Sequence, residues 1–183
     1  MKLLLHTCCA PCLIYPLETL KSKGFEVQGL FYNPNIYPQE EYEKRKTALE
    51  KYSKIANVEI IYPGYAPEEY FNSVSLNAVS LEADSIKAPN LKRCLLCWSL
   101  RLKKVAQIAK EMGLDAFSTT LLVSPYQNQE EIKKIGEDIS KEAGIDFYFE
   151  DFRTGFRRAL DDARAQGIYC QKYCGCVFSR REA

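Results

Sequence analysis

The sequence has almost no net charge, no long apolar run and only one histidine. Its 25 lysines and arginines nearly balance its 24 aspartates and glutamates, so no general electrostatic attraction to nucleic acid or to a membrane is expected. No apolar run approaches the ~20 residues of a membrane span, and the apolar start is too short for a signal peptide. Because His6 is the only histidine, a histidine–cysteine catalytic site cannot be built away from the start of the chain.

The sequence also lacks the glycine-rich loops that hold nucleotide phosphates. Neither G-x-x-x-x-G-K-[ST] nor G-x-G-x-x-G occurs, so a classical nucleotide cradle is unsupported. The composition is otherwise that of an ordinary folded protein, with 46% hydrophobic and 27% charged residues. A chain of 183 residues suits a single domain with a proper core.

Cysteine, by contrast, is abundant and unevenly distributed. The eight cysteines fall in three groups: Cys8, Cys9 and Cys12; Cys94 and Cys97; and Cys170, Cys174 and Cys176. Long cysteine-free stretches separate the groups, so chance is a poor explanation. Secreted disulfide scaffolds are short and loop-rich, unlike this chain, so we expect a cytosolic protein whose reduced cysteines do metal or redox work.

Taken one at a time, the first two groups leave alternatives open. Cys9-x-x-Cys12 at a helix start is typical of a thioredoxin-like redox pair, but Cys8 would then be an unneeded third sulfur. The spacing of Cys94-x-x-Cys97 occurs both in zinc ribbons and in iron–sulfur sites. On its own it does not distinguish the two.

The third group favours a metal site when it is combined with the others. Glycine between Cys174 and Cys176 lets the backbone bend closely around a cluster, whereas Cys170 is the best candidate for a buried, inert cysteine. Together the groups would place seven or eight thiolates around one cavity, more than one tetrahedral zinc needs. His6 is expected to be a packed core residue or a hydrogen-bond partner of the first group.

Strands alternate with helices along most of the chain. The pattern predicts strands at residues 2–6, 25–32, 58–62, 116–122 and 146–149, and helices at 11–23, 39–55, 68–75, 95–112, 129–143 and 156–166. Residues 81–90 are expected to be irregular. This alternation predicts a single-domain, Rossmann-like α/β fold, a parallel sheet of about five strands with helices on both faces. Ligands of such sheets bind at the carboxyl ends of the strands, where residues 8–12 and 119–128 should lie.

Basic and aromatic side chains are concentrated near the end of the sequence. Residues 151–183 carry seven lysines or arginines and four acidic residues. Arginines such as Arg157 and Arg158, with Tyr169 or Tyr173 nearby, suit phosphate contact and base stacking. A solvated helix face with i,i+4 ion pairs explains the same pattern equally well.

Five blocks, in order along nearly the whole chain, carry a resemblance to one family. They are His6-Thr7-Cys8-Cys9-Ala10-Pro11-Cys12, Tyr32-Asn33-Pro34-Asn35-Ile36, Arg93-Cys94-Leu95-Leu96-Cys97 with Arg101-Leu102, Thr119 with Leu121-Leu122 and Ser124-Pro125-Tyr126, and Gln171-Lys172-Tyr173-Cys174-Gly175-Cys176-Val177-Phe178-Ser179. With these blocks the chain resembles the epoxyqueuosine reductase QueH family. It departs from the family in residues 82–91, which lack the expected glycines, and in Cys170, where a basic residue is more usual.

The resemblance implies the last step of queuosine synthesis in tRNA, a cobalamin-independent, two-electron deoxygenation of epoxyqueuosine at the wobble position. It implies a [4Fe–4S] cluster beside an additional mononuclear iron, and a HUP/PP-loop-like sheet similar to that of tRNA-thiolating enzymes. We expect the partners to be an epoxyqueuosine-containing tRNA and an external ferredoxin- or flavodoxin-type electron donor, in the cytoplasm and without a membrane. Residues 1–183 would form a single catalytic domain whose cysteine-bearing tail, at about 167–183, closes the metal site.

Seven of the eight cysteines match the family pattern, and a cluster takes four thiolates, which leaves three for one more iron. Under the resemblance we assign Cys9, Cys94, Cys97 and Cys176 to the cluster, and Cys8, Cys12 and Cys174 to the iron. An iron with an open position would polarise the epoxide oxygen, and no catalytic side chain is singled out. The alternatives are an iron–sulfur-dependent tRNA sulfur-transfer enzyme, a thiol–disulfide oxidoreductase, and a zinc-binding tRNA-binding module without catalysis.

Overall fold

The strands of the chain form a five-stranded parallel sheet. The structure, a computed structural model, describes residues 1–76 and 91–179. The strands are β1 (Lys2–His6), β2 (Glu26–Leu30), β3 (Ile60–Ile61), β4 (Ala116–Thr119) and β5 (Asp146–Phe147). The helices are α1 (Ala10–Ser22), α2 (Gln39–Ile55), α3 (Pro67–Leu76), α4 (Leu91–Glu111), α5 (Gln129–Ala143) and α6 (Phe156–Ala165).

The strand order is β3-β2-β1-β4-β5, and every neighbouring pair is parallel. Helix α1 packs against α2 and α6, whereas α4 packs against α3 and α5, so helices cover both faces of the sheet. The chain runs from β1 towards β3 on one side and then from β4 to β5 on the other. The topological switch point therefore lies between β1 and β4, and the predicted α/β architecture is confirmed.

Strand β1 is the centre of the core because it is covered on both faces. Leu3, Leu4 and Leu5 have no accessible surface, as expected for a continuous apolar run in a buried parallel strand. Each such side chain contributes about 2 kcal/mol of burial free energy. The start of α1, and with it the first cysteine group, is thus attached to the most firmly held strand of the sheet.

Helix α4 begins earlier than the sequence pattern predicts, and the difference matters for the site. The predicted helix started at residue 95, but the observed one starts at Leu91, so Cys94 and Cys97 lie within its first two turns. Residues three apart on a helix share a face. Arg93 belongs to the buried face of this first turn because its guanidinium lies 4.3 Å from the centre of the Phe178 ring, a tertiary contact that periodicity does not reveal.

Strand β4 is shorter than the predicted strand 116–122. The Thr119 hydroxyl accepts a hydrogen bond from the Leu121 backbone N–H at 3.1 Å and starts a 3-10 helix, Thr120–Val123. Threonine side chains that bond to nearby backbone compete with strand pairing in this way. Strands β3 and β5 are likewise shorter than predicted, and residues 81–90 lie outside the described part of the chain.

Across residues 1–76 and 91–179, no helix combines the length and the apolar character that crossing a membrane requires.

Candidate metal centre

A cavity of about 410 Å³ opens at the carboxyl ends of β1 and β4. Six cysteines from all three groups line it: Cys8, Cys12, Cys94, Cys97, Cys174 and Cys176. The sulfur of Cys9 lies 3.8 Å from that of Cys8. The two segments expected to meet at the switch point do so, because the Cys8 backbone N–H donates to the Thr120 hydroxyl at 3.1 Å. Seven sulfurs from three segments that are far apart in the sequence therefore lie at one site.

The first cysteine group is held by the turn between β1 and α1. The sulfur atoms of Cys8, Cys9 and Cys12 all lie within 4.8 Å of one another, and all three residues are buried. Thiolates that share one tetrahedral metal at about 2.3 Å lie roughly 3.8 Å apart. This trio therefore needs only small side-chain adjustments to share a metal ion.

Hydrogen bonds among these thiols concentrate negative charge on one sulfur. Bonds from Cys12 and Cys9 lower the pKa of Cys8 well below its usual value, and the Thr120 hydroxyl adds to the effect. Burial, in contrast, raises the pKa of Cys9. Gln171 from the tail supplies a further donor, since its Nε2 lies 2.8 Å from the Cys9 sulfur. Of the three thiols, Cys8 is therefore the one that loses its proton most readily.

The second cysteine group lies beside a buried arginine. Burial raises the pKa of Cys97 to about 11, although the charge of Arg101 acts in the opposite direction. Arg101 is only 4% exposed, and it donates to the Cys97 carbonyl at 3.3 Å and to Asn33 Oδ1 at 3.4 Å. Both acceptors are neutral, and among the described residues no carboxylate pairs with Arg101. A buried cation without a counter-charge is costly, so the cavity favours an anionic occupant.

The third cysteine group lies in the tail after α6 and is held there by α2. Arg45, which is 2% exposed, donates through its two terminal nitrogens to the carbonyls of Tyr173 and Cys174, each at 3.0 Å. Its Nε pairs with the Glu41 carboxylate at 2.7 Å. The Tyr37 backbone N–H also donates to the Gly175 carbonyl at 2.9 Å. These contacts bend the tail over the cavity.

The two tail thiols are close together, but their pKa values are shifted in opposite directions. The sulfurs of Cys174 and Cys176 lie 3.6 Å apart, with the Cys174 thiol also 2.8 Å from the Ser179 hydroxyl. The hydrogen bond from Cys174, helped by Ser179 and Tyr70, lowers the pKa of Cys176 to about 5 despite its burial. Cys176 is therefore a thiolate at neutral pH.

His6 is a structural residue of the core, as the packed-core interpretation expected. Its Nε2 lies 3.2 Å from the Tyr32 carbonyl oxygen, which only accepts, so this nitrogen carries the proton. Its Nδ1 then accepts from the Thr119 hydroxyl at 2.9 Å. Burial, together with the charge of Arg101, lowers the pKa of His6 to about 3. The ring is neutral, and its hydrogen bond to Thr119 links β1 to β4. Because both nitrogens are engaged, neither is free to bind a metal.

Cys170, the departure from the family pattern, does not line the cavity. It is half-buried, and its thiol donates to the Ile168 carbonyl at 3.5 Å. Two residues that the sequence interpretation did not assign to the site do line the cavity, namely Arg101 and Gln171. Arg45 lines it too; the sequence pattern fits equally well a place in a polar pocket or on a helix face. For Arg101 a signal was present, because it follows Cys97 by four residues on the same helix face.

Most of the basic residues around α6 are engaged on the surface rather than in the cavity. Their ion pairs are Arg153 with Asp151, Arg158 with Glu18 and Asp162, and Arg164 with Asp161. This supports the interpretation of these arginines as a solvated helix face. The two tyrosines proposed for base stacking are also engaged, Tyr169 with the Glu41 carboxylate and Tyr173 with the Tyr37 carbonyl, each at 2.7 Å.

Comparisons with known proteins agree on one family. Residues 3–182 match the family described as epoxyqueuosine reductase QueH. Two similar proteins with that name come from Thermotoga maritima, at 38% identity over 98% of this chain and 90% of the relative, and from Dehalococcoides mccartyi, at 35% over 99% and 93%. One solved structure is also similar, and it is described as a predicted subunit of a tRNA methyltransferase from Methanocaldococcus jannaschii. It aligns with a TM-score of 0.57 and 11% identity, over 90% of this chain and 76% of the other chain. At that identity the similarity supports the fold alone. On the strength of the family match and these two relatives, the chain belongs to the epoxyqueuosine reductase QueH family.

Proposed function

We propose that the protein is a cobalamin-independent epoxyqueuosine reductase that acts on the wobble nucleotide of tRNA. The reaction takes up two electrons and two protons, breaks both C–O bonds of the epoxide and releases the oxygen as water, leaving the cyclopentene of queuosine. The observation that carries the proposal is the convergence of seven sulfurs from three segments on one cavity. Neither a dithiol redox site nor a single structural zinc requires that many.

The positions of the sulfurs support a division of the ligands between two metal groups. We assign the mononuclear iron to Cys8, Cys9 and Cys12, whose sulfurs lie within 4.8 Å of one another. The [4Fe–4S] cluster is then left with Cys94, Cys97, Cys174 and Cys176. Compared with the sequence-based assignment, Cys9 moves from the cluster to the iron, and Cys174 moves from the iron to the cluster. The reason is that the Cys9 sulfur lies with the first group, whereas that of Cys174 lies beside Cys176.

The residues of the cavity fit an anionic iron–thiolate group. All of its candidate ligand atoms are sulfur, and the buried guanidiniums of Arg45 and Arg101 line the same cavity. Arg45 has one carboxylate partner, Glu41, and Arg101 has none within residues 1–76 and 91–179. When bound, the iron would supply a Lewis acid for the epoxide oxygen, and the cluster would supply electrons one at a time. Burial raises the pKa values of both Cys94 and Cys97, and the charge of Arg101 offsets part of that rise, which favours binding of their thiolates to a metal.

Other residues of the chain shape the cavity around the substrate. Trp98 and Leu121 supply apolar walls that exclude water, and the indole N–H of Trp98 donates to Gln127 Oε1 at 2.9 Å, which holds the rim in place. Tyr70 remains protonated because burial, with the charge of Cys176, raises its pKa. Its hydroxyl is therefore a hydrogen-bond donor towards the Cys176 sulfur.

The remaining expectations follow from this function. Residues 1–183 would act as one catalytic domain, and the tail from about residue 167 would close the metal site through the contacts of Arg45. The electrons would come from a ferredoxin- or flavodoxin-type protein. The protein would work in the cytoplasm, where its tRNA substrate is found, without attachment to a membrane.

The test uses protein reconstituted anaerobically with iron and sulfide, but without cobalamin. It is incubated with an anticodon stem–loop RNA that carries epoxyqueuosine, together with reduced ferredoxin or flavodoxin. Mass spectrometry of the nucleosides should show the loss of one oxygen atom from the substrate. A colourless zinc protein that binds the RNA unchanged would overturn the proposal in favour of a binding module, and a product that has gained sulfur would indicate a sulfur-transfer enzyme.

A further inference from the structure

The mouth of the cysteine cavity carries an aromatic side chain that is almost fully exposed. Tyr126 is 84% exposed, more than any other large hydrophobic residue in the described part of the chain, and it lines the cavity opening. A single exposed aromatic residue is ordinary on a protein surface. Its position beside the cavity, and the way it is held there, are what indicate a ligand.

The loop that presents Tyr126 is held by side-chain hydrogen bonds on both sides. The Tyr126 backbone N–H donates to the Ser124 hydroxyl at 3.3 Å. Next to it, Gln127 accepts from the Trp98 indole, and Asn128 caps α5 by accepting from the Glu131 N–H at 3.2 Å. A ring presented on a braced loop loses little conformational entropy on binding.

A second ring contacts Tyr126, and an exposed arginine follows that ring in the chain. The ring of Phe156 meets it edge to face, with centroids 6.0 Å apart, and braces it from the side of α6. Arg157 follows Phe156 in the chain and is exposed, and among the described residues it forms no ion pair. Its neighbours Arg153 and Arg158 are ion-paired. Proteins that bind single-stranded RNA commonly combine exposed aromatic rings with exposed cations on one surface.

We propose that Tyr126 stacks on a base that flanks the modified nucleotide, while the modified base enters the cavity and Arg157 contacts a neighbouring phosphate. This inference rests on the proposed function. The flanking base is the occupant because the reacting ring must reach the cysteines inside the cavity, whereas Tyr126 stands outside at its mouth. Every base has a π face, so this contact sets the position of the RNA without reading its sequence.

The first test is a cycle that combines a protein change with an RNA change. Binding of the epoxyqueuosine stem–loop is compared with that of stem–loops lacking the base on the 5′ or the 3′ side of the modified nucleotide. Tyr126→Ala should weaken binding to the complete RNA about tenfold, the effect of losing one base stack. At one of the two positions, removing the base should weaken binding to the unmodified protein but cause no further loss in Tyr126→Ala. Additive losses at both positions would overturn the proposal.

Kinetics and salt dependence supply the controls. Tyr126→Ala should raise KM and leave kcat nearly unchanged, and Tyr126→Phe should restore KM.

Arg157→Ala should lower the slope of log affinity against log salt by about 0.7, the effect of one lost phosphate contact on a single strand. Its matched control is Arg158→Ala, whose ion-paired side chain should leave the slope unchanged. Ile55→Ala, an exposed apolar residue in the last turn of α2, should change none of these quantities.

The outcomes separate this inference from the proposed function. If the protein without substitutions does not deoxygenate the RNA, the proposed function fails, and the binding cycle still reports on Tyr126. If the unmodified protein is active but the losses are additive, the stacking role alone fails. Unchanged RNA affinity together with a lower rate only at limiting ferredoxin or flavodoxin would assign Tyr126 to a protein-docking surface and overturn the proposal.

Discussion

The first and third cysteine groups reach the same cavity by different means. Cys8, Cys9 and Cys12 follow β1 directly, and β1 pairs along its length with β2 and β4. Cys174 and Cys176 lie in a tail without regular strand pairing, and side-chain contacts such as those of Arg45, together with one backbone bond from Tyr37, hold it. The sheet builds one half of the site, and a few side chains build the other.

This difference predicts unequal stability within one cavity. The pairing of β1 is lost only when the whole sheet unfolds, whereas a tail held by a few side chains can detach in a local opening. The buried pair of Arg45 and Glu41 is the central point of that attachment. The experiments below break the two halves separately, from the largest expected effect to the smallest.

Replacing single cysteines should have the largest effect and should separate the two metal groups. In anaerobically reconstituted protein, Cys97→Ser should abolish the visible absorption and sulfide content of the cluster. Cys12→Ser should lower the iron content while the cluster spectrum remains. The unmodified protein should contain more iron than the four atoms of one cluster. Iron analysis, acid-labile sulfide analysis and absorption spectra measure the outcome for both variants and for the protein without substitutions.

The control in that series is Cys170→Ser. Its thiol donates to the Ile168 carbonyl and lies away from the cavity lining, so iron content and activity should be nearly unchanged. If Cys170→Ser alone bleached the protein, the ligand set would be wrong. Iron that stopped at four would remove the mononuclear site.

Arg45→Met should release the tail half of the site. The change removes both bonds to the tail and leaves the Glu41 carboxylate buried without its cation, which should cost about 3–5 kcal/mol of unfolding free energy. Urea denaturation of the metal-free protein measures the loss. The double variant Glu41→Gln/Arg45→Met should recover part of it, because no buried charge is then left unpaired. No recovery would show that the unpaired Glu41 carboxylate does not contribute to the loss.

Gly175→Ala tests the same attachment with a smaller change. Gly175 has φ of +119°, and an added Cβ would lie 2.9 Å from Ile36 Cγ1 and 3.2 Å from Arg45 Nη1. The unfavourable backbone conformation alone costs roughly 1–2 kcal/mol. Gly113→Ala is the matched control, because φ there is +66° but nothing lies within 4 Å of the new Cβ. A cluster content that fell equally in both variants would contradict the role of this contact.

The smallest effect concerns thiol reactivity in metal-free protein. Cys176, with a pKa of about 5, is a thiolate at pH 7, so iodoacetamide should label it first, and its labelling should fall as the pH drops through about 5. Burial raises the pKa of Cys97 to about 11, so its labelling should appear only as the pH rises towards that value. Peptide mass spectrometry follows both sites. Faster labelling of Cys170 than of Cys176 at pH 7 would contradict this prediction.

Much of the fold was predictable because its signals are local. The helices at 39–55 and 129–143 have the predicted bounds, and the second begins with an Asn128 cap and ends at Gly144 with φ of +66°. The apolar run of β1 and the alternation of strands with helices led to the correct parallel sheet. Propensity, capping and periodicity act over a few residues, so the sequence displays them directly.

The parts that were not predicted depend on contacts between distant residues. The sequence left open whether Arg45 lines a polar pocket or lies on a solvated helix face, and it is buried because the tail 128 residues away supplies its carbonyl acceptors. The start of α4 was missed because Arg93 is buried against Phe178 rather than by an apolar pattern. In both cases a charged side chain is buried by a partner that no local window contains.

The sequence by itself determined that eight cysteines occur in three groups, and that the first of these follows a buried strand at the ligand-binding edge of a parallel sheet. Those properties depend on residue order alone. Only the tertiary structure decided which sulfurs are neighbours: it places the Cys9 sulfur with Cys8 and Cys12 and brings Gln171 to it, while Cys170 stays outside the cavity. The physical reason is that a sulfur's neighbours are set by how β1, α4 and the tail pack together, and by the buried charges that hold them, none of which is encoded in the spacing of cysteines along the chain.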